Sequence, residues 1–152
     1  MKHLKNHILV VDEDPSVLEM LTRVLIGEDY LALSAANGSD ALKVAAATQI
    51  DLVLLDPNMP GQIGWETFEC LSAKYPLVPF VIITARSNQL FAALSSGAGA
   101  LLEKPLDFPK LLQTISKLLA EPPESRLARM AGKSAEFHYL PAHQSVRSKQ
   151  NS

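Results

Sequence analysis

The sequence predicts an α/β domain built on a doubly wound parallel sheet, with helices on both faces. Three observations support this prediction. Short apolar runs alternate five times with segments of helical periodicity. Most of these runs are continuously apolar rather than alternating, which is typical of strands buried on both faces. The 152 residues of the chain are enough for one such domain and a short appendage.

The five strands follow from five short runs of strand character, which are 8–11, 30–35, 52–55, 80–83 and 100–103. The second run is less apolar than the others. Turn-forming residues follow each run, for example Pro57 after the third and Pro105 after the fifth. Each strand is therefore predicted to be short and to end abruptly.

The five helices follow from capping residues and from apolar residues at helical spacing. They are predicted from Pro15 to near Gly27, through 41–45, from Gly64-Trp65 to Pro76, from Asn88 to Ser96, and through 108–119. Asp14 is a favourable N-cap for the first helix, because Pro15 can occupy the first helical position. Asp107 has the same capping role before the last helix.

Composition is that of an ordinary globular protein, with 47% hydrophobic and 20% charged residues. The net charge of −2 gives no general attraction to nucleic acid or to an anionic membrane surface. A single cysteine, Cys70, excludes an internal disulfide and is compatible with a reducing compartment. No apolar run has signal-peptide or membrane-spanning character, so a cytoplasmic protein is expected.

The domain is predicted to span residues 1–121 and to end at Pro122-Pro123. Residues 122–152 are predicted to be a polar, basic C-terminal tail without a second domain. Residues 121–152 carry a charge of +2, against −4 for residues 1–120. It contains one weakly helical patch at 124–131 and a small apolar group, Phe137, Tyr139 and Leu140.

Polar residues whose side chains could bind a metal ion or take part in a reaction follow four of the five strands. They are Asp12, Glu13 and Asp14 after the first, Asp56 after the third, Thr84 after the fourth and Lys104 after the fifth. In a parallel sheet these strand ends share one edge, so the side chains are predicted to converge. Clustered acids repel one another unless a cation lies among them, and hard oxygen ligands favour Mg²⁺.

Asp56 is the central carboxylate of this predicted cluster. A strand-end aspartate taken alone is most often only a turn former. A carboxylate beside Mg²⁺, a hydroxyl and an ammonium can instead act as a nucleophile that forms an aspartyl phosphate. The agreement of four strand ends favours the second interpretation, with Thr84 and Lys104 holding the transferred phosphoryl group.

Four segments with these residues give the sequence its resemblance to a known family. They are Ile8 to Pro15, Asp51 to Asp56 with Met59-Pro60-Gly61, Ile82 to Arg86, and Glu103 to Leu106. Over about residues 6–120 the chain resembles the receiver domain of two-component response regulators. The resemblance implies a flavodoxin-like sheet of strand order 2-1-3-4-5. It also implies phosphotransfer to Asp56 from a histidine kinase or a histidine phosphotransfer protein.

The resemblance also implies a role for each site residue. Asp12 and Glu13 match the acidic pair that binds Mg²⁺ together with Asp56, and Asn58 matches the residue whose backbone carbonyl helps to bind the ion. Thr84 matches the switch hydroxyl, and Lys104 matches the lysine that pairs with the phosphoryl group. The Lys104–Pro105 peptide bond is expected to be cis.

Three departures from the family pattern are visible. Glu13 replaces the usual aspartate, so one metal ligand is a methylene longer. Leu101 occupies the position where receivers usually carry an aromatic switch residue. The segment between Thr84 and Lys104 is about two residues short, which shortens the fourth helix. The first departure concerns metal affinity, and the other two concern how a phosphorylated state is transmitted.

The leading hypothesis is a single-domain response regulator that acts as a phosphorelay intermediate or a protein-binding switch. It is expected to carry out only its own phosphorylation and dephosphorylation, and so not to be an enzyme. Expected partners are a kinase or phosphotransfer protein and an unknown downstream protein, without nucleic acid or membrane, and the chain is expected to be a monomer or weak dimer. A haloacid-dehalogenase-like phosphatase and a phosphorylation-independent interaction module are the alternatives.

Three further features of the sequence carry less weight. The phosphatase alternative requires an acid two residues after the nucleophile, where this chain has Asn58. Gly97-Ala98-Gly99 suggests a phosphate-binding loop, but it follows a helix and precedes a strand, the reverse of the required order. It is therefore predicted to be a turn. The histidines, among them His138 and His143, have no metal-ligand spacing and are predicted to be surface or packing residues.

Overall fold

The computed structural model describes residues 4–58, 65–133 and 136–142. The strands within these ranges are β1 (His7–Val11), β2 (Leu31–Ala35), β3 (Leu52–Leu55), β4 (Phe80–Thr84), β5 (Ala100–Glu103) and β6 (His138–Leu140). The helices are α1 (Pro15–Gly27), α2 (Gly38–Ala47), α3 (Glu66–Lys74), α4 (Leu90–Ser96), α5 (Phe108–Ala120) and α6 (Pro123–Met130).

All six strands form one parallel sheet of order β2-β1-β3-β4-β5-β6. The predicted order 2-1-3-4-5 is therefore confirmed for the first five strands. The order reverses direction between β1 and β3, and in such sheets a crevice opens there, beyond the carboxyl ends of the strands. This edge of the sheet carries the candidate site.

The predicted five-stranded sheet and the boundary at residue 121 need correction. The chain continues past Pro122 into α6, and β6 then pairs with β5 at the edge of the sheet. A strand of three residues is too short to show a sequence period, and its hydrogen bonds come from a distant part of the chain. At least to residue 142, the segment interpreted as a tail belongs to the folded unit.

The two faces of the sheet pack against different helices. Alternate residues of β1 face opposite sides, so that Leu9 and Val11 lie in one core cluster and Ile8 and Val10 in the other. The first cluster includes buried residues from α2, α3 and α4, and the second includes buried residues from α1 and α5. Helices on both faces are thus confirmed.

Side-chain caps begin three of the helices. The carboxylate of Asp14 accepts a hydrogen bond from the backbone N–H of Ser16 at 2.9 Å, and Pro15 is the first residue of α1. Asn37 and Asp107 accept hydrogen bonds from the third residues of α2 and α5 in the same way. The caps at Asp14 and Asp107 confirm the sequence predictions for the starts of α1 and α5.

Several predicted boundaries differ slightly from the observed ones. Helix α4 begins at Leu90 rather than Asn88, and α3 begins at Glu66. Gly64 and the segment Met59-Pro60-Gly61 lie outside the described residues, as does His143. No helix among the described residues is long and apolar enough to cross a membrane.

Candidate functional site

The candidate site lies where β1, β3, β4 and β5 end. Asp12 directly follows β1, Asp56 directly follows β3, and Lys104 directly follows β5, while Thr84 is the last residue of β4. Backbone pairing continues to these ends, because Asp56 N donates to Val11 O at 3.0 Å and Lys104 N donates to Thr84 O at 2.7 Å. The parallel register therefore brings residues from four strands to one edge.

Lys104 joins the two buried carboxylates of the site. Its ammonium donates to Asp12 Oδ2 at 2.7 Å and to Asp56 Oδ2 at 3.0 Å. Asp12 is 1% exposed and Asp56 is 7% exposed. Two carboxylates in such a position would repel each other, and the shared cation offsets that repulsion.

The charge of Lys104 is stabilised by these partners. Burial by itself lowers the pKa of Lys104, because an ammonium loses hydration. Hydrogen bonds to Asp12 and Asp56, together with their negative charges, outweigh burial and raise the pKa of Lys104 above its ordinary value. The ammonium is therefore fully charged at neutral pH and is available to a second anion at the site.

Backbone N–H groups orient the two carboxylates. Asp14 N donates to Asp12 Oδ1 at 2.9 Å, and Asn58 N donates to Asp56 Oδ1 at 2.8 Å. Each bond joins residues two apart, as in an Asx turn. The Oδ2 atom of each carboxylate is left to face Lys104.

Thr84 is fully buried and its hydroxyl oxygen accepts two hydrogen bonds. The donors are the side-chain amide of Asn58 at 2.9 Å and the backbone N–H of Arg86 at 3.0 Å. The sequence analysis gave Asn58 a role only through its backbone carbonyl. Its side-chain contact with Thr84 crosses from the end of β3 to the end of β4, and no local sequence signal predicts it.

The family assignment follows from comparison with known proteins. The family model of the response regulator receiver domain matches residues 8–116. This chain belongs to that family. A solved structure of similar shape is that of the response regulator TrrA from Thermotoga maritima, in complex with Mg²⁺ and BeF. It has a TM-score of 0.69 and 34% identity, and the match covers 74% of this chain and 98% of that one.

The receiver also resembles parts of longer proteins. It is 32% identical over 123 residues to the transcriptional regulatory protein GlrR of Escherichia coli (strain K12), covering 80% of this chain. It is 38% identical over 135 residues to the transcriptional regulatory protein ZraR of Salmonella typhimurium, covering 88% of this chain. The chain spans 28% of the length of GlrR and 31% of the length of ZraR.

The carboxylates of Glu13 and Asp14, which follow β1, make no hydrogen bond or ion pair with the other described side chains of the receiver's site. Glu13 is exposed and makes no hydrogen bond or ion pair with another described residue. The carboxylate of Asp14 caps α1, and the hydrogen bond from the Ser16 hydroxyl is the largest cause that lowers the pKa of Asp14. The structure thus joins Asp12, Asp56 and Lys104 directly and places Glu13 at the rim.

The donor atoms of the receiver's site fit Mg²⁺. Within the described ranges, no three His, Cys, Asp or Glu side chains form a group able to hold a metal ion. Mg²⁺ typically uses one or two protein carboxylates and completes its shell with water and phosphate oxygens. The oriented carboxylates of Asp12 and Asp56, which already share one cation, supply that number of hard oxygen ligands.

The two remaining sequence predictions concern β5. The Lys104–Pro105 peptide bond is cis, as expected. Leu101 is fully buried in the core, and its backbone partner on β6 is Tyr139. The aromatic residue Tyr139 is therefore paired with the position at which the family usually carries its aromatic switch residue.

Proposed function

We propose that Asp56 of this receiver accepts a phosphoryl group from a histidine kinase or a histidine phosphotransfer protein. The observation that supports this most directly is the ammonium of Lys104 held between Asp56 and Asp12 at 3.0 and 2.7 Å. A cation fixed beside a buried carboxylate is suited to hold a transferred phosphoryl group, whose charge is spread over three oxygens.

The transfer begins with attack by a carboxylate oxygen of Asp56 on the phosphorus of a phosphohistidine. A new O–P bond forms, the P–N bond breaks, and its electron pair returns to the imidazole of the donor. Lys104 moves its hydrogen bond from Asp56 to a phosphoryl oxygen. The hydroxyl of Thr84 can donate a hydrogen bond to another phosphoryl oxygen, because its present contacts use only its lone pairs.

The residues proposed to hold Mg²⁺ are Asp12, Glu13 and Asp56, together with the backbone carbonyl of Asn58. When bound, the ion supplies positive charge that offsets the negative charge of the transferred group. Asp12 then has two tasks in the receiver. It orients Lys104 through a charged hydrogen bond, and it provides a ligand whose second oxygen is fixed by Asp14 N.

The amide side chain of Asn58 favours a phosphoprotein over a phosphatase. A haloacid-dehalogenase-like reaction needs a general acid two residues after the nucleophile. Here that residue carries an amide, which cannot donate a proton to a leaving group and is bonded to Thr84. We therefore assign the receiver phosphoryl capture and slow hydrolysis of its own aspartyl phosphate, without turnover of an external substrate.

The output of the receiver is proposed to be a contact with another protein. The net charge of −2 provides no general attraction to DNA. Leu101 is buried and prefers burial whatever the state of Asp56. It therefore cannot replace an aromatic switch residue, whose ring alternates between an exposed and a buried position. A relay role needs an accessible Asp56 more than a large conformational change, and we favour it over a switch that depends on residue 101.

The experiment is phosphorylation by acetyl phosphate, followed by intact-mass and peptide mass spectrometry. The expected result is one phosphoryl group on Asp56 in the presence of Mg²⁺ and none in excess chelator. Asp56→Asn should abolish the label. Asp51→Asn is the matched control, because Asp51 precedes the opposite end of β3, and it should be labelled like the wild type. Label on Asp56→Asn, or label in chelator, would contradict the proposal.

A further inference from the structure

The C-terminal segment, residues 121–133 and 136–142, is attached to the receiver through a buried arginine. Arg126 is 1% exposed, and it donates from Nε to Val78 O and from Nη1 to Gly97 O, both at 2.8 Å. Its guanidinium lies 5.6 Å from the ring centroid of Phe80. Burial, and then the charge of Arg129, lower the pKa of Arg126 to about 10, so it remains a cation at neutral pH.

The receiver leaves space for this segment. A Cβ atom on Gly97 would lie 3.0 Å from the Cα of Met130, and Gly97 has a φ of 87° that disfavours other residues. A Cβ atom on Gly99 would lie 2.8 Å from Leu118 Cδ2 and 3.3 Å from Arg129 Nη2. The Gly-Ala-Gly motif, predicted to be a turn, is thus also the surface against which α6 packs.

Strand β6 covers the edge of β5 that the first five strands leave open. His138 N donates to Gly99 O at 3.1 Å, and the register pairs Leu101 with Tyr139 and Leu102 with Leu140. Arg129 supports this arrangement by binding the carboxylate of Glu121 and by donating to Glu136 O at 3.0 Å. The segment therefore occupies an interaction surface of its own receiver.

The segment also donates hydrogen bonds to the side chain of Glu103, the last residue of β5. Tyr139 donates its hydroxyl to Glu103 Oε2 at 3.0 Å, and Ala142 N donates to Glu103 Oε1 at 3.4 Å. Glu103 is only 9% exposed, so these donors compensate for the lost hydration of its carboxylate. Glu103 precedes Lys104 in the chain and is the β-ladder partner of Thr84.

We propose that the C-terminal segment is an internal ligand of the β5 edge and that phosphorylation of Asp56 weakens its attachment through Glu103. This inference rests on the function proposed above. A phosphoryl group draws Lys104 and Thr84 toward itself, and Glu103 is coupled to both through the backbone and the ladder.

The coupling has to act in both directions. If phosphorylation favours release of residues 138–142, then weaker attachment of this segment favours the phosphorylated form by the same factor. The released state exposes the edge of β5 and the carboxylate of Glu103, where a strand from a downstream protein can pair. The segment thereby keeps this edge covered until Asp56 is modified.

The test is hydrogen exchange on the full chain, read by mass spectrometry in the peptide that contains residues 138–142. Acetyl phosphate with Mg²⁺ should accelerate exchange in this peptide, while the peptide containing β2, at the other sheet edge, should not change. Tyr139→Phe should already exchange about fivefold faster without phosphorylation, the factor expected for one lost hydrogen bond. Tyr139→Phe should also bind the phosphoryl mimic beryllium fluoride, with Mg²⁺, more tightly than the wild type. Tyr30→Phe, next to β2, is the matched control and should behave like the wild type.

The mass of the intact protein separates the two proposals. A phosphoryl group on Asp56 with unchanged or slower exchange at 138–142 overturns the coupling and leaves the proposed function intact. Absence of any phosphoryl group overturns the proposed function itself. Equal affinities of Tyr139→Phe and the wild type for beryllium fluoride with Mg²⁺ would also refute the coupling, since linkage requires a difference in binding free energy.

Discussion

Asn58 donates a hydrogen bond from its side-chain amide to the hydroxyl of Thr84, at 2.9 Å, across the ends of two neighbouring strands. This contact holds the hydroxyl in its present position. To donate a hydrogen bond to a phosphoryl group on Asp56, Thr84 has to move away from this position. The bond between Asn58 and Thr84 therefore opposes movement of Thr84 toward the modified site.

Asn58→Ala should bind a phosphoryl mimic more tightly, because Thr84 no longer has to leave a partner. One hydrogen bond of about 1 kcal/mol corresponds to roughly a fivefold change in affinity. Titration of beryllium fluoride in the presence of Mg²⁺, followed by the fluorescence of the single tryptophan, measures it. Asn6→Ala, at the opposite end of the sheet, is the control. Equal or weaker binding by Asn58→Ala would show that the contact does not restrain Thr84.

Lys104→Met should destabilise the protein by about 1–3 kcal/mol at neutral pH, because it leaves two buried carboxylates without their shared cation. The value is below that for a fully buried pair, since the side chain of Lys104 is 20% exposed. Urea denaturation measures the difference. Lys43→Met, an exposed substitution on α2, should change stability by less than about 0.5 kcal/mol.

The stability difference between the wild type and Lys104→Met should also depend on pH in the alkaline range. The pKa of Lys104 is raised in the folded protein by Asp12 and Asp56, against the effect of burial. A cation of this kind contributes its stability fully below its unfolded pKa, about 10.4, and loses it as the pH rises through the folded value. The difference between wild type and Lys104→Met should therefore be constant up to about pH 9 and shrink above about pH 10.5. A difference that grows with pH would reject the assignment.

Glu13→Asp should bind Mg²⁺ with a smaller dissociation constant than the wild type. Glu13 is exposed at the rim, and its extra methylene places its carboxylate farther from the backbone than an aspartate would. Because Mg²⁺ demands near-octahedral geometry, the shorter acid should fit better. Isothermal titration with MgCl₂ measures the constant, and Glu19→Asp on the exposed face of α1 serves as the control. Unchanged affinity would mean that Glu13 is not a ligand.

Arg126→Met should destabilise the receiver by about 2 kcal/mol and increase exchange in α6. The substitution leaves Val78 O and Gly97 O without donors, at about 1–3 kcal/mol for each buried carbonyl. Removal of a buried charge offsets part of this cost. Arg23→Met, which breaks only an exposed ion pair with Glu19, should cost less than about 1 kcal/mol. Equal stability of the two variants would show that Arg126 does not anchor the segment.

Much of the fold could be predicted from local sequence. Short apolar runs predicted the strands β1 to β5, and the capping residues Asp14 and Asp107 marked the starts of α1 and α5 correctly. These signals are local because hydrophobic burial and capping act over a few residues. The strand order itself came from the resemblance to the receiver family, since pairing between distant strands leaves no period in the sequence.

For the candidate site, the sequence by itself determined which residues lie at the shared edge, because Asp12, Asp56, Thr84 and Lys104 each follow or end a strand of a parallel sheet. Only the tertiary structure decided their contacts. It placed Lys104 between Asp12 and Asp56, joined Asn58 to Thr84, and left Glu13 at the rim. It also turned an apparent tail into α6 and β6, bound through Arg126 and Tyr139. Such contacts join residues that are 26 to 92 positions apart, and they form only when the sheet brings those residues together.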